Sequence, residues 1–269
     1  MLTDITLGQY FPGSSFLHRL DPRTKLVGTV LFVAGIFLAE SYASYGLVTA
    51  FALLTVFVSG VPVRLVLRSI RPLWIIILIT LLIHIFSTPG KVIYTLGPLT
   101  ATLEGVRQGA LMAARLIFLI VMSSLLTFTT SPIVLTDGIE RLLNPFRRFG
   151  LPAHELAMMM TIALRFIPTL LEETDRIMKA QMARGADFTR GNIVKRAKNM
   201  VPLLVPLFIS AFRRADELAV AMEARCYRGG ENRTRMKELR LAARDGVAFA
   251  VVLALLALLG VLRWNVPLS

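Results

Sequence analysis

The chain has almost none of the residues from which metal and redox sites are built: one cysteine, Cys226, and three histidines, His18, His84 and His154, scattered over 269 residues. A lone thiol excludes an internal disulfide, and no zinc constellation can be assembled at such spacings. Acidic residues are scarce too, 17 Asp and Glu against 30 Lys and Arg, giving a formal net charge of +13. No carboxylate cluster suited to hydrolysis occurs, and no Gly-x-x-x-x-Gly-Lys-Ser/Thr phosphate loop. The expectation is a chain with no metal, no cofactor and no catalytic group, hence not an enzyme.

What it has instead is apolar sequence. Hydrophobic residues make up 55% and mean hydropathy is +0.66, outside the range of an ordinary soluble domain. Met1 to Lys25 carries Asp4, Arg19, Asp21, Arg23 and Lys25 and lacks the apolar stretch and small-residue cleavage site of a signal peptide, so retention of the N-terminus is expected. Apolar runs then follow at Leu26 to Ala39, Tyr42 to Val63, Leu73 to Phe86, Leu111 to Thr130 and Gly246 to Leu262, five candidate crossings of a lipid bilayer. The first is short: its 14 residues span roughly 21 Å against a hydrocarbon core of about 30 Å, so flanking residues must be recruited.

Basic residues near span ends stay on the cytoplasmic side. Arg19, Arg23 and Lys25 precede the first run, Arg64, Arg68 and Arg71 separate the second from the third, and 20 of the 30 Lys and Arg fall between Ser131 and Arg244. Five crossings with the N-terminus inside place all three groups in the cytosol. His84, Glu104, Arg107 and Arg115 lie near or within spans, where ionisable residues can mark a transport path. The structural alternative is that His84 satisfies a helix contact and that Arg115 snorkels or pairs with Glu104.

The expected architecture is thus all-α and polytopic: about five membrane helices and a cytosolic domain of long amphipathic helices. Residues 1–130 hold an N-terminal cytosolic segment and four spans, 131–244 the cytosolic helices, and 245–269 the last span and a short tail. The middle region carries 20 basic and 12 acidic residues, but it is Met-, Leu- and Ala-rich and lacks the interleaved aromatics of a nucleic-acid surface, so no nucleic-acid partner is expected. Periodicity divides it into a short helix, Ile133 to Phe149, ended by Gly150 and Pro152, and two long ones, Ala153 to Arg184 and Asn192 to Arg225. Pro168 lies inside the first long helix, Pro202 and Pro206 inside the second.

The two long helices end alike. Ala183-Arg184-Gly185 closes one and Ala224-Arg225-Cys226 the other, 41 residues later, an offset that also aligns Asp175 with Asp216 and Ala180 with Ala221. One such tripeptide is unremarkable, since Arg near a helix C-terminus complements the dipole and Gly is the usual cap. Two matched ends have a second reading beside capping: each presents an always-charged planar guanidinium, which suits a partner with two equivalent acidic pockets related by a twofold axis.

These residues resemble the transmembrane T component of energy-coupling factor transporters, and the match runs the length of the chain. Ile5-Thr6-Leu7-Gly8-Gln9-Tyr10, Pro12-Gly13 and His18-Arg19-Leu20-Asp21-Pro22-Arg23-Thr24-Lys25-Leu26 are similar to the family's opening signature. Leu164-Arg165-Phe166-Ile167-Pro168 and Ala221-Met222-Glu223-Ala224-Arg225 fit its coupling helices, and the paired Ala-Arg-Gly motifs are its hallmark. The departure is Cys226 in place of glycine, which puts the backbone turn at that point in question, with Gly229 and Gly230 as substitutes.

The resemblance implies a scaffold in the bacterial cell membrane that transmits the motion of two ATP-binding-cassette ATPases to a membrane-embedded S component, which binds the vitamin or metal ion. Carried over by position, Ala183, Arg184, Gly185, Ala224, Arg225 and Cys226 would contact the ATPases. The Met- and Leu-rich faces, Met158, Met159 and Met160 with Pro202, Leu203, Leu204, Leu207 and Phe208, would contact the S component; unbranched Met suits a surface that accepts several partners. Two rivals remain: a conventional ATP-binding-cassette permease with its own substrate path, and a membrane-embedded enzyme built around His84 and Arg115.

Overall fold

The computed structural model describes residues 10–39, 41–96, 99–186, 188, 193–229 and 239–265. Within them run α1 (Pro22–Ile36), α2 (Tyr42–Ser59), α3 (Val63–Ile70), α4 (Trp74–Ser87), a hairpin of β1 (Val92–Leu96) and β2 (Leu99–Thr102), then α5 (Leu103–Thr129), α6 (Pro132–Leu143), α7 (Ala153–Ala183), α8 (Ile193–Ala224) and α9 (Ala243–Asn265). The all-helical, polytopic expectation holds. The antiparallel hairpin, absent from the sequence reading, fills the segment between the third and fourth apolar runs. The helix expected to reach Phe149 stops at Leu143, because Pro145 cannot supply the next helical N–H; a 3-10 turn, Asn144–Phe149, completes the stretch, with Gly150 in the left-handed region at φ 86°.

Among the described residues, five helical stretches are long and apolar enough to cross a bilayer: 42–59, 63–87, 103–129, 153–183 and 243–264. Four coincide with expected runs. The fifth is α7, assigned from sequence to the cytosolic region, and its mean hydropathy of 1.2 is well below the 2.5 of α9. The first expected span corresponds to α1, whose 15 residues are too few to qualify.

The described residues form two compact units, 10–138 with 239–265, and 139–229. In the first, the core lies among α1, α2, α5 and α9, where Phe32, Ile36, Val48, Leu125, Phe128 and Leu259 are almost completely buried. α4 packs on α5 through Gly105 and Gly109, one turn apart: a Cβ at Gly105 would stand 2.6 Å from the His84 carbonyl oxygen, and one at Gly109 3.1 Å from that of Leu81. Such small-xxx-small spacing lets membrane helices approach closely. Arg115 does not pair with Glu104, which lies 11 residues before it on the same helix, roughly 16 Å away along the axis. Arg115 instead donates to the Ala39 carbonyl at 3.1 Å and lies over the Phe37 ring, while Glu104 accepts from the Lys91 N–H at 2.6 Å.

The N-terminal signature ties this unit together. His18 donates from Nε2 to the Phe11 carbonyl (2.9 Å), and its Nδ1 accepts from Ser15 (2.7 Å). Asp21 caps α1, with Pro22 at the first helical position, where no N–H is needed. The Asp21 N–H donates to Asp245 at the start of α9 (2.7 Å), Arg23 donates to the Leu239 carbonyl (3.1 Å), and Lys25 Nζ donates to the Thr129 carbonyl (2.9 Å) and the Thr130 hydroxyl (3.1 Å) at the end of α5. One short segment thereby grips the chain just before it leaves this unit and just after it returns. Burial draws the Lys25 ammonium down to about 8, opposed by the charges of Asp245 and Asp21.

Candidate functional site

The second unit holds both arginine-terminated helices, and their ends have one geometry. At the end of α7, Gly185 N–H donates to Met182 O (2.9 Å) and Ala186 N–H to Gln181 O (3.0 Å). At the end of α8, Cys226 N–H donates to Glu223 O (2.8 Å) and Tyr227 N–H to Met222 O (3.0 Å). Both are Schellman turns, with Arg184 and Arg225 at the C-cap and the next residue left-handed, Gly185 at φ 87° and Cys226 at φ 54°. The expected substitution of the turn by Gly229 or Gly230 is therefore corrected: Cys226 makes the turn itself, while Gly229 is left-handed three residues later and Gly230 lies outside the described residues. Ala183, Arg184, Gly185, Ala224, Arg225 and Cys226 are all exposed. The caps are closed by backbone bonds, and both arginines are exposed.

A left-handed residue with a Cβ is strained by about 1 kcal/mol relative to glycine. Cys226→Gly is therefore expected to raise the thermal unfolding temperature slightly and to leave transport intact, readable by thermal melting in detergent beside an uptake assay. A lower unfolding temperature or lost uptake would contradict this account of the turn.

Tyr227, immediately after the second turn, is half-buried and returns to the start of α7: its hydroxyl donates to Met158 Sδ (3.0 Å) and lies 3.4 Å from His154 Nε2. His154 Nδ1 in turn stands 3.0 Å from the carboxylate of Glu140. Farther along, Glu173 of α7 meets Ser210 and Arg214 of α8. Neither group was singled out from sequence; the available signal was the 41-residue offset, which aligns Glu173 with Arg214.

The apolar candidates divide. Met159 and Met160 are 54% exposed, Leu204 46% and Phe208 60%, and Pro202 is also exposed. Leu203 is buried, Leu207 is half-buried, and Met158 is engaged by Tyr227, so these three are poorly placed for a partner. Val201, Val205, Ile209 and Phe212, within the same apolar run from Met200 to Phe212, join the exposed side of α8. Their spacing of three or four residues makes a continuous apolar stripe.

Helices of this length and apolarity define a helical, multi-pass membrane protein. Residues 13–236 match the CbiQ family, described as cobalt transport protein. The chain is 62% identical to the energy-coupling factor transporter transmembrane protein EcfT of Acidaminococcus fermentans, over 99% of this chain and 100% of that one. Proteins of the same description from Thermosediminibacter oceani (61%; 92% and 94% of the two chains) and Bacillus subtilis (49%; 98% and 100%) are similar throughout. The chain belongs to the CbiQ family, as a transmembrane component of an energy-coupling factor transporter.

Proposed function

We propose that the chain couples two ATP-binding-cassette ATPases to a membrane-embedded S component, so that ATP hydrolysis by the former drives vitamin or metal-ion uptake through the latter. The matched, exposed Arg184 and Arg225 on identical helix turns carry this reading. They suit two equivalent acidic sites, and the exposed stripe on α8 with Met159 and Met160 suits an apolar partner. The basic residues of 131–244 keep α7 and α8 on the cytoplasmic side of the bacterial cell membrane, as Arg19, Arg23 and Lys25 do the N-terminus. α7 fits that place despite its length, since its second half carries Glu172, Glu173, Asp175, Arg176 and Lys179.

A conventional permease would need polar groups lining a substrate site. A cavity of about 240 Å³ among the described residues of the first unit is lined mainly by apolar side chains such as Phe16, Leu20, Phe51, Leu125 and Val251, and its Lys25 is already bonded to Thr129 and Thr130. Co-expression with two ATPase subunits and an S component is expected to give a stoichiometric complex that takes up substrate with ATP, whereas the chain alone shows neither ATP hydrolysis nor saturable vitamin binding. Saturable binding by the chain alone, abolished by substitutions within its spans, would establish the permease reading instead.

A further inference from the structure

Glu173 and Arg214 are separated by 41 residues, the same offset as Arg184 and Arg225. Arg214 Nη2 donates to one carboxylate oxygen of Glu173 at 3.0 Å and the Ser210 hydroxyl donates to the other, so both oxygens are used across the gap between α7 and α8. The contact joins equivalent positions of the two helices, each 11 residues before its arginine. At ~1.5 Å per residue, each arm runs roughly 16 Å from the contact to the arginine. A pin at equivalent positions makes the arms equal, and equal arms are what two identical sites related by a twofold axis require.

Apolar packing does not supply this constraint along the α8 stripe. Val201, Leu204, Val205, Phe208, Ile209 and Phe212 are each at least 46% exposed, on the outside of the pair. Nor is the ion pair chiefly a source of stability, since its two side chains remain 25% and 36% exposed to screening solvent. Its effect is geometric, because a carboxylate bonded through both oxygens fixes where one helix lies along the other.

The geometry points to Glu173, Ser210 and Arg214 as positioning residues, a polar clamp that sets the separation of Arg184 and Arg225 to match two ATPase sites. This rests on the reading of those arginines as ATPase anchors. Cys226, exposed and the sole cysteine, and Met182→Cys, at a 48% exposed position, give one label near each end. Electron–electron distance measurements on the full chain in lipid nanodiscs are then compared with ATP-driven uptake by the assembled, unlabelled transporter.

Glu173→Gln is expected to broaden the distance distribution and to reduce uptake at least tenfold while ATPase subunits still co-purify. Ser210→Ala, the milder change, shifts both readouts in the same direction by less. Exchanging the charges, Glu173→Arg with Arg214→Glu, is expected to narrow the distribution again and recover uptake. Unchanged distances in Glu173→Gln and Ser210→Ala, or an exchange that restores neither readout, overturns the clamp. The anchor reading fails separately, if Arg184→Ala with Arg225→Ala leaves ATPase recovery intact, a result that the label distances do not report.

Discussion

Arg184→Ala combined with Arg225→Ala is expected to abolish substrate uptake and to deplete ATPase subunits from the purified complex, while the chain still reaches the membrane. The size of the effect follows from desolvation. A guanidinium inserted against a carboxylate at an interface leaves that carboxylate buried and uncompensated when it is truncated, which typically costs ~2 to 5 kcal/mol. That is roughly a 30- to 4,000-fold loss of affinity at each site. Simple helix capping would leave uptake and ATPase recovery unchanged. Both turns are closed by backbone hydrogen bonds, and both arginine side chains are exposed, so alanine leaves the helix ends intact. Each single substitution should therefore insert and melt like the parent while binding ATPases more weakly. Normal ATP-driven uptake by the double variant would exclude the anchor role.

Four of the membrane helices and both arginine ends were legible because each rests on a local pattern: a long apolar run, or a periodic stretch closed by an Arg-Gly type of cap. α5 begins eight residues before its apolar run, at Leu103, since Thr102 caps it by accepting the Gly105 N–H at 3.1 Å, and hydropathy does not register a cap. The hairpin was missed because Val92–Leu96 and Leu99–Thr102 are too short for a clear alternation. The exposed and buried members of the α8 run could not be told apart, since Leu203 and Leu204 are equally apolar and only the fold turns one inward. The contact among Glu173, Ser210 and Arg214 joins residues 37 and 41 positions apart on successive helices, beyond the reach of helical periodicity, and the internal offset was its only trace.

The signature segment near the N-terminus shows the same division from the other side. His18-Arg19-Leu20-Asp21-Pro22-Arg23-Thr24-Lys25 was legible as a motif, but its partners at Thr129, Thr130, Leu239 and Asp245 are 104 residues or more away along the chain. Its consequence is structural: it holds α1, the end of α5 and the start of α9 at one point, where the chain departs toward α7 and α8 and where it comes back.

Asp245→Ala is accordingly expected to be the most destabilising single substitution at that junction, by ~3 to 5 kcal/mol. Asp245 is 3% exposed; one carboxylate oxygen accepts the Asp21 N–H at 2.7 Å and the other the Ala242 N–H at 2.8 Å, the reach-back half of a capping box at the start of α9. Alanine leaves two N–H groups without acceptors in a dry setting, at about 1 to 3 kcal/mol each, and removes a negative charge that favours the protonated form of Lys25. Folded domains have a margin of only about 5 to 15 kcal/mol, so a large fall in unfolding temperature is expected. Asp245→Asn retains one acceptor oxygen and should lose roughly half as much. Lys25→Met beside Asp245→Asn should cost less than the two changes summed, because they share a partner network. Fluorescence-detected size-exclusion thermal profiles of the four variants measure this series. Melting of Asp245→Ala at the parent temperature would show that the junction is held by something other than these bonds.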